Sequence, residues 1–251
     1  MSPARLRAEH RQAGFRVRFD WGPNGLRALA SMVEIVVVVD VLSFSTSVDI
    51  AVGRGAVVLP YRWHNGTEAS FAAERDALLA RRRGEDGFTL SPSSLEAIPA
   101  GSRLVLPSPN GSALSFGARE AGAERVVVAS LRNAGAVGRF VARTGDTVGV
   151  VASGERWRGD TGPIRPAVED LLGAGAVIAA IPGDGRSPEA AAAAAAFDEA
   201  RRSLAARLPQ TASGRELITG GFARDVTLAA EHDRSRVVPV LLGDEIVDAL
   251  G

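Results

Sequence analysis

The sequence predicts an α/β fold, a mainly parallel sheet with helices on both faces in a three-layer α/β/α arrangement, with a division into two lobes left open. Two observations carry this. Residues 34–42 read EIVVVVDVL, a continuous β-branched apolar run of the kind that fills strands buried on both faces. Beyond that run, strand-like and helix-like segments alternate along most of the chain. That order is what parallel strands joined by right-handed helical crossovers produce. A chain of 251 residues is long enough for a sizeable core. We read 1–251 as one domain, with 1–33 as a peripheral N-terminal segment.

Taken in order, RVRFDW is a candidate peripheral strand within that first segment. After the apolar run, SFSTSVDIAVGRG places hydroxyls where a helix begins and glycines where it stops. Residues 56–60 are a second strand. Residues 66–83 read as a helix with a charged face, and RRRGEDG as its solvated exit turn, whose arginines belong to the surface. RLVLP is a short strand, SPNGS a turn, and ALSFGAREAG a helix that ends at glycine. The next unit has a strand at 124–130, a helix at 133–143 and a strand at 146–152. Residues 165–180 show helical spacing at Val168, Leu171 and Leu172, weakened by Gly173 and Gly175. The alanine run before FDEARRSLAARL reads as the middle of a long helix, alanine having the highest helix propensity. A helix near 213–219 and a strand at 237–242 close the chain.

Composition narrows the function classes. With 29 basic and 29 acidic residues the formal net charge is zero, so no general attraction to nucleic acid or an anionic membrane is expected. No segment approaches the roughly 18 apolar residues of a membrane span, and the start lacks the apolar core of a secretory signal, so a cytoplasmic location is expected. The absence of cysteine removes disulfides, thiolate catalysis and cysteine-ligated metals. His10, His64 and His232 are too scattered for a helical zinc motif. Oxygen ligands and Mg²⁺ suit the remaining donors better.

In a parallel sheet, ligands gather beyond the carboxyl ends of the strands. Asp40 lies at such an end, followed by Ser43, Ser45, Thr46 and Ser47. These are either oxyanion donors or caps of the next helix. Asn110 and Gly111 in SPNGS could turn amides toward a phosphate, or simply make a favoured turn. Asn133 has a similar position, with a helix cap as its alternative. The loop SGERWRGDTGPIRPAVED carries Glu155, Arg156, Arg158, Asp160 and Arg165, and runs into Glu169 and Asp170. It reads as a mobile anion-binding loop or as a solvated one. Near the end, SGRELITGGFARDV combines Arg215 and Glu216 with Asp225. Asp40, Glu169, Asp170 and Asp225 are the carboxylates open to Mg²⁺, and His64 and His232 are isolated acid–base candidates with a structural role the commoner alternative.

The ordered set VVVVDVLSFSTS, SPNGS, RNA, ASGERW, AVEDLLGAG and SGRELITGGFARDV resembles the 2-phosphosulfolactate phosphatase family, over roughly 36–239. The resemblance implies Mg²⁺-dependent hydrolysis of 2-phosphosulfolactate to sulfolactate and phosphate, a step in coenzyme M formation. It supports Asp40, Asn110, Gly111, Asn133, Gly154, Glu169, Asp170, Gly214, Arg215 and Asp225 as site positions. We assign Asp40, Glu169 and Asp225 to catalysis, and Asp40, Glu169 and Asp170 to the metal. Ser45, Thr46, Asn110, Gly111, Asn133, Gly154 and Arg215 are assigned to the substrate. The expected partner is a small phosphorylated acid, with no nucleic acid and no membrane, and a homodimer is left open. Ser43 departs from the pattern, standing where the family commonly has arginine, and serine has neither its fixed charge nor its planar donor fork. A catalytically impaired small-anion-binding protein on the same scaffold is therefore the alternative. Leu42 occupies the position where aspartate-nucleophile phosphatases place a second aspartate, which favours metal binding or base catalysis for Asp40.

Overall fold

The computed structural model describes residues 7–62, 66–157 and 162–250. Its strands are β1 (Val17–Trp21), β2 (Ile35–Val39), β3 (Val57–Arg62), β4 (Leu78–Leu79), β5 (Arg103–Ser108), β6 (Arg125–Ala129), β7 (Val148–Ala152), β8 (Glu155–Arg156), β9 (Ile164–Arg165), β10 (Pro239–Leu242) and β11 (Glu245–Asp248). The helices are α1 (Gly22–Leu29), α2 (Phe44–Gly53), α3 (Glu68–Ala73), α4 (Pro92–Leu95), α5 (Gly111–Glu120), α6 (Ala134–Thr144), α7 (Val168–Ala180), α8 (Pro188–Ala200), α9 (Leu204–Arg207), α10 (Ala212–Thr219) and α11 (Ala223–Ala229). Nine strands form one sheet in the order β1-β7-β2-β6-β10-β11-β3-β5-β4, while β8 and β9 pair separately.

The apolar run forms the interior strand β2, parallel to both β6 and β7. Successive side chains on a strand point to opposite faces. Ile35, Val37 and Val39 accordingly enter one core with residues of α6, α7 and α8, such as Val137, Ile178 and Phe197. Val36 and Val38 enter the other, with Leu26 of α1, Phe44 of α2 and Leu114 of α5. Burying a side chain of this kind contributes about 1.5–3 kcal/mol relative to exposure. This is the expected α/β/α layering on a mainly parallel sheet, and RVRFDW supplies its edge strand β1, parallel to β7.

The sheet has one feature that alternation does not suggest. The antiparallel hairpin of β10 and β11 lies between β6 and β3 and is antiparallel to each. Three antiparallel interfaces in a row reverse direction, so the parallel block β3-β5-β4 runs opposite to the parallel block β1-β7-β2-β6. The sheet also curls. Val36 and Val38 share a core with Leu104 and Leu106 of β5, although four strands intervene.

One helical expectation is corrected. The helix expected over 66–83 stops at Ala73, because Leu78 and Leu79 pair as an edge strand with Leu104 and Val105 of β5, and Asp76 takes a left-handed turn at φ 47°. The arginines at 81–83 therefore follow a strand, not a helix. The long helix through the alanine run ends at Ala200, where both the amide and the hydroxyl of Ser203 donate to the Ala200 carbonyl and divide α8 from α9. Within α8, Ala190, Ala193 and Phe197 are buried in the same core as Ala174 and Val177 of α7. Gly175 permits the close approach, since a Cβ there would overlap the Ala193 carbonyl. No described helix is long and apolar enough to cross a membrane.

Candidate active site

Asp40 leaves the carboxyl end of β2 and is almost fully buried, at 6% exposure. Its carboxylate closes two chain segments. Oδ1 accepts the Phe44 amide at 3.3 Å, at the start of α2, and Oδ2 accepts the Gly111 amide at 2.9 Å, at the start of α5. Gly111 has to be glycine for this approach, because a Cβ would run into the Phe44 ring. Burial, and then the negative charge of Glu155, raise the Asp40 carboxyl to about 7 against the two amides and Arg83.

Asp170, in the first turn of α7, supports the same corner. Its Oδ1 accepts the Val41 amide at 2.7 Å and its Oδ2 the Gly154 amide at 2.9 Å, so one carboxylate ties the exit of β2 to the exit of β7. Gly154 adopts φ 67°, and a Cβ at this residue would stand 2.6 Å from the Arg165 carbonyl. Burial raises the Asp170 carboxyl well above the ordinary range, with the charges of Asp40 and Glu169 adding to it. Glu169 is buried beside it at 2% exposure.

The loop expected to carry anion-binding groups forms the short β8–β9 pair and places Glu155 close to Asp40. Asn110 donates from Nδ2 to Glu155 Oε1 at 3.2 Å, while its Oδ1 is buried with no hydrogen-bond partner among the described residues. Arg158 and Asp160 of this loop, and His64, lie outside the described residues.

Arg83 corrects the expectation of a surface arginine. Its Nη2 donates to Ser43 Oγ at 2.6 Å and to the Leu90 carbonyl at 3.3 Å, and stands 3.6 Å from Oδ2 of Asp225. Asp225, fully buried, is anchored through Oδ1 by the Ser91 hydroxyl at 2.6 Å and the Ser93 amide at 3.1 Å. The position where the resemblance expects arginine is thus touched by an arginine from another loop. Arg83 has no local sequence signal and takes its meaning from distant partners, whereas Glu155 lies in the ASGERW segment that contributes to the resemblance.

Other assigned residues are used differently. The Ser45 hydroxyl accepts the Asp40 amide at 2.9 Å and the Thr46 hydroxyl donates to the Val41 carbonyl at 2.7 Å, so both cap the turn from within. Asn133 accepts the Ser130 amide at 2.8 Å and donates to the Val128 and Val237 carbonyls, which commits its amide to holding the backbone. Arg215 is exposed on α10. His232 lies against Phe197 and 3.5 Å from Asp233.

The oxygen chemistry of the site suits a hard cation in part. Among the described residues no three of the His, Cys, Asp and Glu side chains form a group that could hold a metal, so Asp40, Glu169 and Asp170 do not make such a cluster. Mg²⁺, however, often takes only one or two carboxylates and keeps waters. Glu155 and the unsatisfied Oδ1 of Asn110 are a donor pair of that type.

The sequence pattern of 2-phosphosulpholactate phosphatase matches residues 24–244. A probable 2-phosphosulfolactate phosphatase of Deinococcus radiodurans is 29% identical over 227 residues, covering 85% of this chain and 90% of the relative. One of Symbiobacterium thermophilum is 29% identical over 230 residues, covering 85% and 94%. The matched span contains both parallel blocks of the sheet apart from β1, and every residue gathered around Asp40. The chain belongs to the 2-phosphosulpholactate phosphatase family.

Proposed function

We propose that this chain is a Mg²⁺-dependent phosphatase that hydrolyses the phosphate monoester of a small acid, 2-phosphosulfolactate or a related ester, to the hydroxy acid and inorganic phosphate. The observation that carries this reading is the state of Asp40 in a chain of this family. It is a buried carboxyl raised to about 7, held at a strand exit beside Glu155 and Arg83. A carboxyl in that range exchanges a proton readily near neutral pH. Asp40 takes a proton from the attacking water as the water oxygen bonds phosphorus, the ester P–O bond breaks, and the leaving oxygen takes a proton from solvent water. The amides of Phe44 and Gly111 hold the carboxylate in place for this step. Glu155 and Asn110 would hold Mg²⁺, which, when bound, would neutralise phosphoryl charge.

The competing reading, an anion-binding protein without turnover, rests on Ser43. Arg83 weakens it, because its guanidinium at Ser43 Oγ restores a fixed positive charge beside that position. Phosphate release from 2-phosphosulfolactate, with Mg²⁺ and with chelator, tests the proposal. Mg²⁺-dependent release is expected, with Asp40→Asn lowering kcat by about 10²–10⁴-fold. Binding of the ester without release under any metal condition would favour the non-catalytic protein.

A further inference from the structure

The pair formed by Arg83 and Asp225 is incomplete. Arg83 Nη2 stands 3.6 Å from Asp225 Oδ2, well beyond a charge-assisted hydrogen bond of about 2.7–2.9 Å. Both sides have unused capacity. Asp225 Oδ2 and Arg83 Nε are buried with no hydrogen-bond partner among the described residues. Such atoms are costly to leave unsatisfied, and a bound oxyanion, an acceptor only, can satisfy the guanidinium but not the Asp225 oxygen. The guanidinium is also held in place. Ser43 Oγ and the Leu90 carbonyl take Nη2, the Phe222 ring lies 5.4 Å from its central carbon, and its side chain retains 24% exposure. Asp225 in turn is fixed by Ser91 and Ser93. Arg83 is thus oriented and partly open, and its charge is felt at both Asp40 and Glu155.

The surroundings make this cation matter. Asp40, Glu155, Glu169 and Asp170 bring acidic groups to the corner that an anionic ester must enter. An arginine fork matches two oxygens of a phosphoryl, sulfonate or carboxylate group, and its charge does not depend on pH in the working range. We propose that Arg83 is the substrate oxyanion-binding residue of this site, with Asp225 as the positioning residue that aims its guanidinium. This rests on the phosphatase reading for the identity of the ligand, but not for the existence of an oxyanion site. Arg83 would contact one oxyanion of the substrate, either the sulfonate or one of the groups that 2-phospholactate retains, and these are separable by experiment.

The test compares wild type with Arg83→Ala, Arg83→Lys and Asp225→Asn. Steady-state hydrolysis is measured on 2-phosphosulfolactate and on 2-phospholactate, which lacks the sulfonate, with circular dichroism to verify the fold. Arg83→Ala is expected to lower kcat/KM by about ten- to a hundredfold, with partial rescue by added guanidinium ion. Arg83→Lys should recover part of the loss, and Asp225→Asn should raise KM in the same direction by less. A loss on both esters assigns Arg83 to a group that they share, the phosphoryl or the carboxylate, and a loss on 2-phosphosulfolactate alone assigns it to the sulfonate. A folded Arg83→Ala enzyme within about twofold of wild type on both esters, or impaired without guanidinium rescue, overturns the proposal. If the alanine variant does not fold, Arg83→Lys decides: a raised KM supports the assignment and an unchanged one overturns it. If wild type hydrolyses neither ester, the phosphatase reading fails. Calorimetric titration of wild type and Arg83→Lys with inorganic phosphate and sulfate then decides the Arg83 assignment alone, weakened binding supporting it and unchanged or absent binding overturning it.

Discussion

At the scale of single residues, the site is built from side chains that tie strand exits together. Asp170 is the clearest case, with one oxygen on the Val41 amide and the other on the Gly154 amide. Asp170→Asn would turn an amide NH₂ against one of these N–H donors. We expect a loss of about 1–3 kcal/mol in stability, read as a lower urea midpoint. An unchanged midpoint would mean that the bridge carries no weight. Much of this scale was legible in the sequence. Asp40, Asn110, Gly111, Gly154 and Asp170 lie just beyond apolar runs or at a helix start, where strand and helix ends concentrate unpaired amides. Asn133 occupies the same kind of position, yet its amide is spent on the Ser130 cap. Arg83 was hidden, because an arginine in a run of three looks solvated until the partners at Ser43 and Asp225 are known.

At the scale of elements, packing overrides propensity. Gly173 and Gly175 weaken α7 as an isolated helix, and their role emerges only against its neighbours. A Cβ at Gly173 would stand 2.9 Å from Val39 of β2, and one at Gly175 would overlap Ala193 of α8. Gly175→Ala gains about 1 kcal/mol of helix propensity but forces α7 and α8 apart, so a net loss of about 1–3 kcal/mol is expected by denaturant unfolding. Greater stability in that variant would contradict the close packing. The same principle ended the helix expected over 66–83. Its leucines gained more by pairing with β5 than by continuing a helix with a charged face.

At the scale of the whole molecule, burying carboxyls links folding to pH. Asp40 is raised to about 7, and Asp49 and Asp170 are also raised, burial being the largest cause in each. Asp49 is 1% exposed and remains raised despite its ion pair with Arg132 at 2.8 Å. A folded pKa above the unfolded one means that the native state holds a proton the unfolded chain has released. The stability from these groups is therefore complete below about pH 4 and is lost as pH rises through their folded values, for Asp40 near 7. In metal-free buffer the unfolding free energy is expected to fall between about pH 5 and pH 8, by up to about 1.4 kcal/mol per pH unit for each retained proton, read as a falling melting temperature with a shallower fall in Asp40→Asn. A melting temperature that rises over this interval would contradict the assignment.

The sequence alone determined the layers. A run such as EIVVVVDVL is apolar on both faces of a strand, and glycines and hydroxyls mark the helix ends around it, because those preferences act over a few residues. It also pointed to Asp40, where the strand exit left a cap and a catalytic role both open and the ordered resemblance favoured the second. The tertiary structure decided the reversal of strand direction at the β10–β11 hairpin and the curl that brings Gly111 within 2.9 Å of Asp40. It also decided the placement of Arg83 against Ser43 and Asp225. These depend on contacts between segments far apart in the chain, whose free energy is settled by the closing of the whole sheet and is not carried by any one segment.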